Sequence, residues 1–149
     1  MNDERTKAIR GPLFEPQPPA KPPQDFWADA EIISRYTRAQ ALEDGVLVDA
    51  GPMATEAGFT IPVAFTCMVW RGYIDPGAMG LGQSVDGRLW DTLFMLRHAI
   101  KRAHPGENTI RFVVRYVMDH RTRLVELKAI CGPGDQAEPV ITIMLPEED

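Results

Sequence analysis

From Ile110 onward the chain alternates without a break: Ile110, Phe112, Val114, Tyr116 and Met118 interleave with Arg111, Val113, Arg115, Val117 and Asp119. A run of period two is a strand with one buried face, and such a strand needs both neighbours and a cover. His120-Arg121-Thr122-Arg123 reads as the turn that follows. Leu124 to Cys131 reads as the return strand, with Val125, Leu127, Ala129 and Cys131 on one face. Gly132-Pro133-Gly134-Asp135 breaks it before Val140 to Leu145 forms a third strand. Short consecutive connections favour an antiparallel meander. Three strands alone hide too little surface, so a helix must lie on their apolar face.

The cover stands just upstream. Leu89, Leu93, Leu96, Ile100 and Ala103 recur at steps of three and four, with Trp90 and Phe94 expected to widen the stripe and Pro105-Gly106 to end the helix. Further back the elements are short and punctuated. Thr37 with Gln40 fits a capping box and Gly45 a helix stop. Val46-Leu47-Val48 is strand-like, and Asp49 or Gly51 with Pro52 opens a second helix that Gly58 closes. Pro62 is expected to start a third helix running to about Arg71, with Val63, Cys67 and Trp70 on one side. Tyr73 to Gly87, rich in glycine, reads as a flexible loop. The expected fold is α+β: short helices followed by one long helix packed on a three-stranded antiparallel sheet.

Proline sets the domain boundary. Six of the thirteen prolines, Pro12, Pro16, Pro18, Pro19, Pro22 and Pro23, fall in the first two dozen residues, where missing N–H groups and restricted neighbours leave no regular element. Residues 1–24 are therefore expected to be a proline-rich flexible arm, with Leu13 and Phe14 and, just beyond it, Phe26 and Trp27 as the only anchors that could tether it, and residues 25–149 a single domain. A total of 149 residues, 44% hydrophobic and 25% charged, suits one globular domain and excludes fibrous or wholly disordered classes. No apolar stretch approaches the roughly 18 residues of a membrane span, and the acidic, polar start Met1-Asn2-Asp3-Glu4-Arg5 is unlike a signal peptide. A cytoplasmic protein with no membrane association is the expectation. The two cysteines, Cys67 and Cys131, lie in apolar runs and read as buried free thiols.

Charge is unevenly spread. Between Arg88 and Lys128 nine bases stand against four acids, a local excess of five positive charges in a chain whose net charge is −5. Five acids, Asp135, Glu138, Glu147, Glu148 and Asp149, follow Lys128 with no base among them. Such polarity can draw nucleic acid to one side or hold two subunits together in a homo-oligomer.

Chemistry-bearing patterns are weak by comparison. The glycines from Gly77 to Gly87 lack the Gly-Lys-Ser/Thr ending of a phosphate loop. Ser34 and Ser84 lack the flanking glycines of a nucleophile elbow, and Cys67 in an apolar segment is expected to be inert. His98, His104 and His120 stand at no recognised ligand spacing from the cysteines, so no metal and no cofactor are expected. No catalytic residue is assigned. Candidate binding residues are Tyr36, Arg38 and Asp44 on the first helix, and Arg97, Lys101, Arg111 and Arg115, the last four in a position to meet phosphates if they converge. Phe112 and Tyr116 lie on the strand face opposite Arg111 and Arg115, which makes them core rather than stacking aromatics.

The words Glu31 to Asp49, Glu56-Ala57-Gly58-Phe59, Pro62-Val63-Ala64, Val69-Trp70 and the closing Gly132 to Pro146 resemble a family of small uncharacterised proteins carried by plasmids, phages and other mobile elements. The resemblance spans about Glu31 to Pro146 and brings no reaction, cofactor or catalytic residue. What it implies is a setting in which a small accessory protein engages a host defence protein or nucleic acid. The expected function is thus non-enzymatic binding; the alternative is a small-metabolite, nucleotide-like binding protein or enzyme, with Arg38 and the glycine loop shaping its pocket.

Overall fold

The computed structural model describes residues 36–77 and 82–149. The proline-rich arm and the centre of the glycine loop lie outside the described residues. From Thr37 onward the chain forms one compact α+β unit.

Helix α1, Arg38–Glu43, starts as its capping box dictates. Thr37 Oγ1 accepts from Gln40 N at 3.0 Å, and Gln40 Oε1 accepts from Thr37 N at 2.9 Å. Gly45, at φ 77°, turns the chain into β1, Leu47–Asp49. Helix α2, Pro52–Glu56, carries its proline in the first turn, and Gly58 follows it at φ 100°.

The helix expected from Pro62 is replaced by a strand. Val63–Thr66 forms β2, followed by a single helical turn, α3, Cys67–Val69, and a π-helical turn over Trp70–Ile74. Val63, Ala64 and Phe65 are all buried because β2 lies inside the sheet, between β1 and a later strand. A run buried on both faces shows no period, so its helical and extended readings are indistinguishable in sequence.

Helix α4, Val85–Arg102, is capped by Ser84, whose Oγ accepts from Gly87 N at 3.0 Å. Leu89, Leu93 and Leu96 are buried as its stripe predicts, whereas Ile100 in the last turn is exposed and Ala103 only half-buried. Trp90 and Phe94 do not widen that stripe. They stand 39% and 56% exposed, on the side of α4 turned away from the core.

Three strands follow: β3, Thr109–Met118; β4, Arg121–Pro133; and β5, Pro139–Met144. The turn between β3 and β4 is tighter than expected, with only Asp119 and His120 outside the strands, at φ 52° and 61°. Two successive left-handed residues make the hairpin turn whose twist matches the strands, so pairing begins at Met118 with Arg121. The sheet has five strands in the order β1-β2-β5-β4-β3, not three. It is mixed, because β5 runs antiparallel to β4 but parallel to β2. The meander seen in sequence is therefore one half of a larger sheet, closed on its other side by the short early strands.

Phe112, Val114 and Tyr116 of β3 and Leu127 and Ala129 of β4 meet Leu89, Leu93 and Leu96 in the core, together with Phe65 and Ile143. Cys131 is an exception to its row. It is exposed, because it pairs beside Asn108, beyond the start of β3, and loses the shelter of the neighbouring strand. Cys67 is half-buried, and both thiols are free. On the opposite sheet face the C-terminal turn folds back: buried Lys128 donates from Nζ to the carbonyls of Pro146 and Glu148, and Glu148 Oε2 accepts from Thr66 Oγ1 at 2.8 Å and Leu145 N at 2.7 Å.

Candidate binding surface around helix α4

The candidate residues separate into two groups. Tyr36, Arg38 and Asp44 belong to α1 and its flanks, and none of them lines the clefts around α4. Arg38 is committed to the fold. Its Nη1 donates to Thr142 Oγ1 at 2.7 Å and its Nη2 to the Ile141 carbonyl at 2.9 Å, while Asp135 accepts from the backbone N–H of Arg38 and Ala39 at 2.7 and 2.9 Å. The carboxylate from the turn between β4 and β5 thus caps α1, and the guanidinium clamps it to β5. Burial lowers the Arg38 pKa, against the opposing charges of Asp49, Asp135 and Glu138. Asp44 is the C-cap of α1. Two of the Arg38 guanidinium nitrogens thus serve the sheet, and the glycine loop expected to shape a pocket with it lies partly outside the described residues.

The second group surrounds α4. Helical spacing divides the outward side of α4 into two adjacent stripes. Trp90, Phe94, Arg97 and Lys101 line a cleft of about 260 Å3 together with Glu56 and Ala57 of α2 and its end. Asp91, Met95, His98 and Arg102 form the other stripe, which faces β3 across two further clefts of about 490 and 520 Å3. Arg111 and Arg115 lie along those two. Phe94 and His98 are shared between the stripes, so bases of helix and strand border one continuous surface. The aromatics missing from the strand face are supplied by the helix instead.

The positive charge on this surface is thinner than the sequence count suggests. Arg88 and Lys128 are buried. Arg111 pairs with Glu126 at 3.5 Å and Arg123 with Asp119 at 4.0 Å, both in solvent. Arg97 Nη1 donates to the Ala57 carbonyl at 2.5 Å, at the end of α2. A Cβ on Gly58 would fall 1.8 Å from that nitrogen, so glycine is required there both for its φ and for the approach of Arg97. Lys101, Arg102 and Arg115 remain without an ion pair among the described residues.

Arg88 is the polar residue that sequence reasoning missed. It is 5% exposed, donates from Nη1 to the Tyr73 carbonyl at 2.8 Å, from Nη2 to the Val117 carbonyl at 2.5 Å and from Nε to Gln83 Oε1 at 3.4 Å, and lies 5.8 Å over the Tyr116 ring. Beside it Thr92 Oγ1 donates to the Arg88 carbonyl at 2.7 Å and shares a 2.6 Å hydrogen bond with the Tyr116 hydroxyl. The signal was present: Arg88, Thr92 and Leu96 recur every four residues within the buried stripe. Burial pushes the Tyr116 phenol up to about 12, against the opposing influence of Thr92 and Arg88.

Among the described residues no three His, Cys, Asp or Glu side chains gather to hold a metal ion, and no helix is long and apolar enough to cross a membrane. The surface carries exposed aromatic area, bases without an ion pair among the described residues, and shallow clefts. Comparison with the curated proteins and with the solved structures finds no match. Residues 24–149 match the family of unknown function DUF6573, and the chain is a member of that family.

Proposed function

We propose that the protein is a non-enzymatic binding protein and that it engages a partner protein through the α4 stripe Trp90, Phe94, Arg97 and Lys101. The observation that carries this reading is the exposure of Trp90 and Phe94, 39% and 56%, on a helix whose opposite side buries Leu89, Thr92, Leu93 and Leu96. Large aromatics flanked by a cation are the composition that supplies most of the energy at protein interfaces. The preferred partner is apolar at its centre and acidic at its rim, matching Lys101. Nucleic acid is the weaker ligand, because among the described residues of this surface only Lys101, Arg102 and Arg115 lack an ion pair or a backbone partner and the chain carries a net charge of −5. The setting, an accessory protein of a phage, plasmid or other mobile element acting on a host defence component in the cytoplasm, belongs to the same proposal and rests on the word resemblance alone.

Capture from a host lysate tests it, with the wild type and the Trp90→Ala/Phe94→Ala variant as baits. The reading expects a protein retained by the first and lost from the second, and no salt-sensitive binding of a short single-stranded oligonucleotide. Equal recovery on both baits contradicts it. Oligonucleotide binding that weakens steeply with salt would replace the protein partner by nucleic acid.

A further inference from the structure

The free edge of β3 points to a second copy of this chain. We propose that the protein is a two-fold homodimer joined β3 to β3, antiparallel, with Phe112 on the dyad. This inference stands apart from the partner reading above, because it rests on the edge of β3 and on the adjacent stripe of α4.

The ladder fixes which peptide groups are open. Cys131 N donates to the Asn108 carbonyl at 2.8 Å, and partners along an antiparallel pair alternate between bonded and unbonded. Ile110, Phe112, Val114 and Tyr116 therefore turn their N–H and C=O groups to β4, whereas Thr109, Arg111, Val113, Arg115 and Val117 turn theirs to the free edge. The Val117 carbonyl is already taken by Arg88 Nη2. Among the described residues the open edge is thus Thr109, Arg111, Val113 and Arg115, and its midpoint is Phe112. An unpaired edge of this length is a template for another strand.

A partner strand centred on Phe112 sets Thr109 opposite the partner's Arg115, and Arg111 opposite the partner's Val113. No two arginines face one another. Centring on Val113 would oppose Arg111 to the partner's Arg115, and like charges directly across a strand pair are destabilising. The side chains beside the edge then complement themselves. The cleft near Thr109 carries Arg102 and Glu107, and the cleft near Arg115 carries Asp91; the two share Met95 and Val113 and so form one groove. Pairing Thr109 with the partner's Arg115 brings Arg102 toward the partner's Asp91 and Glu107 toward the partner's Arg115. Exposed Val113 and Leu124, the latter 68% exposed, with Met95 supply the apolar centre. An acidic peptide would suit this groove less well, because Asp91 and Glu107 would oppose it at both ends.

Light scattering on the full chain tests the proposal. The expected mass is twice the 16.6 kDa of one chain. Val113→Pro should yield a folded monomer, since its N–H serves only the free edge and proline is tolerated there. Asp91→Arg should weaken the dimer about tenfold, and Asp91→Arg combined with Arg102→Asp should restore it, because the swapped charges meet again across the dyad. The charge pair keeps the test decisive if the proline variant fails to fold. A wild type of single-chain mass at all concentrations overturns the proposal and leaves the edge for another occupant. A dimer that neither Val113→Pro nor Asp91→Arg weakens overturns it as well.

Discussion

Arg88 carries its charge into the interior with no carboxylate paired to it among the described residues; carbonyls and the Tyr116 ring take that role. Replacing it by methionine keeps much of the volume but leaves the Tyr73 and Val117 carbonyls without their donor. The expected cost is about 3 kcal/mol, read as a lower urea midpoint. Lysine should rescue little of it, because one ammonium cannot span two carbonyls as the planar fork does. Tyr116 makes a second prediction at this scale. Its folded pKa of about 12 lies above the ordinary 10.0, so the folded state holds the proton more tightly than the unfolded chain. The stability from this group is whole below pH 10 and is lost as pH rises from there through about 12, by about 1.4 kcal/mol for each pH unit inside that window. Tyr116→Phe should flatten that alkaline loss, as followed by thermal melts between pH 9 and pH 12. Tyr116 was legible as a core aromatic from its strand face, whereas Arg88 was not: counted by charge alone it is one base among nine, and only its place in the four-residue rhythm of α4 marks it as buried.

At the scale of elements, legibility followed amphipathicity. Helix α4 and strand β3 each bury one side, and their periods of 3.6 and two could be read directly. Strand β2 buries both faces of Val63-Ala64-Phe65 and was misread as helix, since nothing polar interrupts it to set a period. The partnership of β2 with β5 was invisible for the same reason, and a five-stranded mixed sheet was reduced to its three late strands. The outward placement of Trp90 and Phe94 was also missed: an aromatic beside an apolar stripe reads as core unless the width of the surface beneath the helix is known. The hairpin yields a prediction of its own. His120 holds φ 61°, a conformation that L-residues adopt at a cost and glycine does not. His120→Gly should raise stability by about 1 kcal/mol, seen as a higher melting temperature, whereas His120→Val should lower it.

On the scale of the whole molecule, the chain's polarity is spent mostly on itself. The late acids hold α1, the turn between β4 and β5 and the C-terminal turn, and several of the bases are buried or paired. Among the described residues, the outer side of α4 presents two open stripes, of which one is offered to a partner and the other, with the edge of β3, to a second copy. Of the candidate site, Arg97, Lys101, Arg111 and Arg115 were legible as residues, and their common surface was not, because it depends on which side of α4 the sheet leaves bare. The two stripes can be separated in a single capture experiment from host lysate, with wild type, Trp90→Ala/Phe94→Ala and Val113→Pro as baits. The account predicts that the partner is lost only from the aromatic variant and is still held by the proline variant; retention of the same partner by the aromatic variant would contradict it.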